Sequence, residues 1–215
     1  MEDVSVLVRT VEAAGPDTVT VEFESPSDFA GRPGQFVRLQ ATIDGEVRQR
    51  FYTLSSPDTA ETFEVTVEVD PEGSFGPWLA DRGPGDEVTV SGPYGDHYYE
   101  GESSLVVVAA GPGIGPAVGI GERAIAEDAS VALVIPADRT VHQDRLSTLA
   151  SAGVVLVEFE SDLEGAVAEA VDAVDGTAFV YGFEGFASEA IAALDAAGVS
   201  EDATKIESFG PGPDD

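Results

Sequence analysis

The chain has 215 residues, 43% of them hydrophobic, enough for one large domain or for two domains of about 100 residues, each with its own core. It carries 41 acidic against 10 basic side chains and no cysteine, which excludes disulfides, thiolate-held zinc or iron-sulfur clusters and a cysteine nucleophile, so redox chemistry here needs a bound organic cofactor. Nucleic acid is excluded because phosphate binding needs a basic face. No run reaches the roughly 18 apolar residues that span a bilayer, and the first ten residues are no signal peptide, so a cytoplasmic protein without a membrane span is expected.

Residues 1–100 alternate apolar and polar positions in short runs, the period of half-buried strands. Strands are predicted over 4–11, 18–23, 36–42, 48–54, 63–69 and 87–90, with turn signals at Gly15-Pro16, Asp44-Gly45, Ser56-Pro57 and Gly83 to Gly85 between them. Six such strands suggest a small antiparallel barrel, interrupted by a short helix near 77–80. The charges between Glu61 and Asp70 read as the wet face of a strand, and Trp78 as an anchor for the helix.

After Gly101 the runs become solidly apolar, at 105–110, 131–135, 154–159 and 178–181, as suits strands buried on both faces. Alanine-rich stretches with helical spacing separate or follow them, at 116–126, 143–150, 165–174 and 186–196. This alternation predicts a parallel sheet covered by helices. The fold expected is therefore two-domain: an antiparallel β-barrel over residues 1–100 and an α/β parallel-sheet nucleotide-binding domain over 101–215, with residues 210–215 a loose tail.

Two segments carry chemistry. In Arg50-Phe51-Tyr52-Thr53 the arginine and the tyrosine share a strand face, so a guanidinium able to grip a phosphate stands beside a ring able to lie on a planar heterocycle; a bland strand with an exposed arginine fits the same pattern. In Gly111-Pro112-Gly113-Ile114-Gly115-Pro116 a glycine-rich turn follows an apolar strand and opens a helix, whose free N–H groups suit a pyrophosphate, although Val118 stands where the full fingerprint wants its third glycine. The histidines, His97 and His142, lie in different domains and are expected to face solvent, with no metal site.

Together, and in this order, these segments resemble the ferredoxin-NADP reductase superfamily over essentially the whole chain. The resemblance is carried further by Gly73-Ser74-Phe75-Gly76 leading to Leu79, by the Gly92 to Gly95 turn, by Tyr181-Gly182-Phe183 and by Glu207-Ser208-Phe209-Gly210. It implies an NAD(P)H-dependent FAD reductase that passes electrons to an acceptor protein such as ferredoxin, or to a small molecule. Arg50 would pair with the FAD phosphates, Tyr52 pack on the isoalloxazine and Thr53 hydrogen-bond near its N5. Val67 and Val69 would line the flavin, Gly73 to Gly76 receive the pyrophosphate, and Phe209 lie at the flavin edge, with Glu207 and Tyr181 near the reaction. Gly111 to Ile114, Gly182 and Phe183 would cradle the nicotinamide nucleotide. Tyr181 stands where the family has cysteine and Gly76 where it has a hydroxyl. An acidic Asp162, with only Arg139 and Arg145 as nearby cations, leans the reading towards NADH. The rivals are a flavin reductase using free flavin and a flavin-binding module with a degenerate nicotinamide site; oligomeric state is left open.

The acids are evenly spread, 20 of the 41 lying in residues 1–100. At about 1 M salt the Debye length is only ~3 Å, so their repulsion would be screened; a halophilic archaeal protein is expected.

Overall fold

The computed structural model describes residues 1–138 and 141–211. Its first half is six antiparallel strands, β1 (Val4–Gly15), β2 (Thr18–Glu24), β3 (Phe36–Ile43), β4 (Glu46–Thr53), β5 (Thr62–Glu68) and β6 (Glu87–Tyr94), with helix α1 (Phe75–Ala80) between the last two. Strand order is β4-β3-β6-β1-β2-β5. β1 serves two partners, β6 through Val4 to Leu7 and β2 through Val8 to Gly15, with an irregularity at Arg9 where it turns from one to the other. A bridge between Leu54 and Val65 joins the two ends of the order, so the sheet curls into the expected barrel.

Local chemistry explains the strands. Asp44 and Gly45, with φ of 52° and 81°, form the two-residue turn whose twist suits a hairpin, so β3 and β4 pair without a slip from Ile43–Glu46 to Phe36–Thr53. Val21, Phe23, Val37, Leu39, Leu54, Phe63, Val65, Val67 and Val90 are wholly buried, and the α1 residues Phe75 and Leu79 join them in one core. Trp78 packs at that core's edge as the expected anchor, under the guanidinium of Arg82.

Residues 95–103 lead to a five-stranded parallel sheet: β7 (Ser104–Ala109), β8 (Ser130–Pro136), β9 (Val155–Phe159), β10 (Thr177–Gly182) and β11 (Thr204–Ser208), in the order β11-β10-β7-β8-β9. Alternate residues face opposite helix layers. Leu105, Val107 and Ala109 meet α2 (Ile114–Ala126) and α3 (Gln143–Ser151), while Val106 and Val108 meet α4 (Leu163–Ala173) and α5 (Glu184–Ala196). Tyr99 already packs in the α2 side of this second core. β11 escaped the sequence reading because Ile206 is its single strongly apolar residue.

The two halves dock through α2. A Cβ at Gly115 would lie 2.3 Å from Thr66 Oγ1, and one at Gly119 would lie 2.6 Å from the Ser55 carbonyl oxygen, so two glycines one turn apart let the helix backbone rest on the barrel wall. Gly115, part of the turn motif in sequence, thus serves domain contact. Beside it Arg145 of α3 donates to Glu64 of β5 at 2.8 Å, to Glu122 of α2 at 2.7 Å and to the Ser55 carbonyl at 2.9 Å. Glu64 is therefore not on a wet face, and Arg145 is not a free cation for a nucleotide phosphate. Burial pushes the Glu64 carboxyl up despite the pull of Arg145. On the opposite flank the Tyr181 hydroxyl donates to the His97 carbonyl at 2.8 Å, and Lys205 to that of Tyr98 at 2.8 Å and to Glu100 at 2.9 Å.

Gly119→Ala should lower stability by about 1–3 kcal/mol, because a methyl forced against a carbonyl oxygen outweighs the better helix propensity. Gly185→Ala on α5, where nothing lies within 4 Å, should instead gain a few tenths of a kcal/mol to about 1 kcal/mol. Denaturant unfolding in molar salt compares them, and a gain in both would show that α2 does not rest on the barrel as described.

Candidate functional site

A cleft of about 550 Å³ opens between barrel and parallel sheet. From the barrel it takes Phe36, Phe51, Tyr52, Thr53, Thr66 and Glu68, and from the other half Pro112, Phe183, Glu207, Ser208, Phe209 and Gly210. β3, β4 and β5 bring the barrel side chains there; Pro112 comes from the turn before α2, Phe183 from the start of α5, and the rest from β11 and the two residues after it, β11 running parallel to β10 with Glu207 beside Tyr181 and Ser208 beside Gly182.

The walls are aromatic. Phe51 stands edge-on to Phe36 at 5.7 Å, and Phe183 edge-on to Phe209 at 6.3 Å. Phe51 is 58% exposed, a large ring offered to the cleft with no protein cover of its own. Tyr52 stacks on Phe75 at 6.2 Å; burial pushes its hydroxyl up to about 12 against the opposing effect of Arg50, so it stays a neutral phenol. Arg50 is exposed on the same strand. Its guanidinium donates to the carbonyl of its neighbour Gln49 at 2.9 Å, and among the described residues it has no carboxylate partner. Exposed Arg9 and Arg32 share that state, whereas Arg48 pairs with Glu46, Arg38 with Asp3, Arg82 with Asp86 and Arg123 with Glu127. Burial raises the Glu207 carboxyl, partly offset by His97.

At the other half, Gly111 takes φ of 56°, and a Cβ at Gly113 would meet the Tyr181 carbonyl oxygen at 2.2 Å, so both glycines are required by backbone geometry. A 3₁₀ turn over Gly111–Gly113 leads directly into α2, with Ile114 buried at its start. A hollow of about 360 Å³ lies there, bordered by Gly111, Pro112, Ile114, Asp17, Glu68 and Asp138.

Of the residues singled out in sequence, Phe51, Tyr52, Thr53, Pro112, Phe183, Glu207 and Phe209 line the cleft. Others do not. Tyr181 is wholly buried in the α2-side core, stacked on Phe179, because alternation on β10 turns it inward; it ties the halves together instead of bordering the cleft. The Val67 side chain lies in the barrel core and Val69 packs against it; on β5 it is Thr66 and Glu68, of the opposite parity, that face the cleft. Gly73 and Ser74 precede α1, Ser74 makes no side-chain cap bond, and Phe75 is buried. Gly76 approaches the Glu68 carbonyl. Gly182 packs against Phe186. Asp162 caps α4 by accepting from Gly165 at 2.9 Å, and Arg139 lies outside the described residues. Phe36, Thr66, Glu68 and Ser208 were missed; strict alternation with buried Val65 and Val67 was the signal for Thr66 and Glu68.

His142 corrects another expectation. It is 6% exposed, its ring Nε2 lies 2.8 Å from Thr66 Oγ1, and its N–H donates to the Ala14 carbonyl at 2.9 Å. Burial, helped by Arg145, lowers its pKa to about 4.

Residues 5–99 match the family described as oxidoreductase FAD-binding domain. The chain is 36% identical over 118 residues, 53% of its length, to a mouse NADH-cytochrome b5 reductase-like protein, and 34% identical over 148 residues, 67% of its length, to a probable dihydroorotate dehydrogenase B (NAD(+)) electron transfer subunit of Methanopyrus kandleri. Those matches span 37% and 54% of the two relatives. The fold is that of a ferredoxin NADP+ reductase from Neisseria gonorrhoeae, solved with bound FAD and NADP: TM-score 0.81 at 16% identity, covering 97% of this chain and 99% of that one. The chain is thus similar to FAD-binding oxidoreductase domains over residues 5–99 and shares the fold of that reductase over nearly its whole length. No described helix is long and apolar enough to cross a membrane.

A buried histidine with a depressed pKa binds its proton more readily in the unfolded chain, so its contribution is complete above about pH 6.5 and is lost as pH falls towards 4. Wild type should therefore lose about 3 kcal/mol relative to His142→Asn over that interval. Parallel pH-stability curves for the two proteins would refute the burial of the neutral ring.

Proposed function

We propose that this chain is an NAD(P)H-dependent flavoprotein reductase, with residues 1–100 holding FAD and 101–215 binding the nicotinamide dinucleotide, and that it passes the electrons to a separate acceptor. The observation that carries the reading is the juxtaposition of an arginine without a carboxylate partner, Arg50, with an aromatic cleft wall of Tyr52, Phe51 and Phe209. A diphosphate satisfies the guanidinium, and a flat tricycle is the shape those rings accept. FAD when bound supplies the hydride and electron chemistry.

The chain's own residues place and shield it. Arg50 grips phosphate, Tyr52 covers the ring system as a neutral phenol, and Thr53 offers a hydroxyl near N5. Ser74 to Gly76 present backbone N–H groups to the pyrophosphate, with Gly73 closing the turn before them, while Gly111 to Ile114 and Phe183 hold the dinucleotide so that its reactive carbon reaches the cleft. Glu207, its carboxyl raised by burial, stands beside the reacting rings. The carboxylates of Asp17, Glu68 and Asp138 around the adjoining hollow disfavour a 2′-phosphate, so NADH is the expected donor. The acceptor class follows relatives named as electron-transfer or reductase subunits, a protein such as ferredoxin being the simplest choice. The even spread of 41 acids supports work in high salt inside a halophilic archaeal cytoplasm. A second reading, a reductase of freely exchanging flavin, is favoured by Gly76 and by the absence of a side-chain cap from Ser74.

Protein purified in molar salt should be yellow and be bleached anaerobically by NADH; loss of the colour on dialysis selects the second reading. Arg50→Ala should weaken FAD binding about tenfold or more, the value of a charge-assisted contact, and Arg48→Ala much less, since Arg48 already pairs with Glu46. Fluorescence titration of the flavin-free variants reads both, and equal losses would mean that the phosphate grip is assigned to the wrong residue.

A further inference from the structure

Thr66 is 4% exposed yet borders the cleft. One residue along from the Leu54–Val65 bridge it stands opposite Thr53, so two hydroxyls sit side by side on the cleft floor. Behind Thr66, His142 Nε2 lies 2.8 Å from its Oγ1. His142 also borders a second opening of about 370 Å³, together with Glu12 of β1, Glu64 of β5, and Asp144 and Arg145 of α3. One hydroxyl and one imidazole thus span the wall between two openings. The histidine backbone holds φ of 56° there, a left-handed conformation that a non-glycine residue keeps only where its surroundings enforce it.

We propose that Thr66 and His142 form a proton path from solvent to the floor of the cleft, with Thr66 delivering the proton and His142 replenishing it. The inference rests on the flavin reading above. Reduction of a flavin by a reduced nicotinamide takes up one hydride, which carries both electrons, and one proton. The Thr66 O–H bond breaks as its proton enters the cleft, and a new one forms with the proton from His142 Nε2. The ring takes a replacement at Nδ1 from solvent, and a turn of the ring returns a protonated nitrogen to Thr66. One solvent proton is consumed, and both side chains end as they began. A neutral imidazole suits the task because it carries one donor and one acceptor nitrogen, whereas the cation carries two donors; burial keeps this ring neutral down to a pH of about 4.

Nitrogen-15 NMR of the flavin-free protein should show His142 neutral and protonated on Nε2 at pH 7; a ring protonated on Nδ1 with Nε2 bare reverses the donor and overturns the proposal. In the FAD-loaded protein, anaerobic stopped-flow reduction by NADH should slow at least about tenfold in Thr66→Val and in His142→Ala, with flavin bound as in wild type. Thr66→Ser should recover most of the rate, and imidazole in the buffer should rescue His142→Ala but not Thr66→Val. Unchanged rates in the two loss variants, or rescue of neither or both by imidazole, refute the path. If wild type binds no flavin, the flavin reading falls, and the NMR result still judges the ring.

Discussion

The contact on which the rest depends is the bare backbone of α2 lying on the barrel wall. Gly115 and Gly119 leave no side chain between helix and strand, and any Cβ there would drive the halves apart. Because the cleft is made from residues of both halves, its width is set by that approach. Arg145 then closes one side of the seam by joining β5, α2 and the segment after β4, while Tyr181 and Lys205 close the other. Flanked by two seams, the aromatic walls face each other at a distance set by protein packing alone, so the slot between them is preformed.

Much of this was legible in sequence for a definite reason. Alternation marks half-buried strands and solid apolar runs mark doubly buried ones, so strand positions came out within a few residues of those observed. Arg50 to Thr53 could be read because residues two apart share a strand face, and the glycine-rich turn because positive φ and close approach both demand glycine. What was illegible depends on parity and on partners. Tyr181, Val67 and Val69 were given to the ligand, yet which face of β10 or β5 looks into the cleft is decided by the docking of the other half. His142 reads as a surface residue in a polar stretch; only its contact with Thr66, 76 positions away in the chain, buries it. β11 is an edge strand with too little apolar surface to announce itself.

The same distinction separates two kinds of charge. The acids that outnumber the bases are mostly solvated, and salt alone modulates their repulsion. A few are structural. Glu64 and Glu122 share Arg145, with side chains 23% and 27% exposed, and Glu102 shares Lys205 at 16%. Such half-buried contact pairs feel salt far less than exposed ones, because ions cannot enter between groups within 3 Å of each other.

Wherever salt screens long-range attraction, a scarce cation stabilises most where it touches its partner. The chain has ten. Arg145 and Lys205 hold the two domain seams, and Arg38, Arg48, Arg82 and Arg123 touch carboxylates on their own surfaces. Arg50 departs from this pattern, as exposed Arg9 and Arg32 do, but of the three it alone stands on the strand that forms the cleft wall. Among the described residues no ion pair neutralises that guanidinium. A cation left unneutralised beside aromatic rings is the pairing on which the proposed grip of a flat, anionic ligand rests.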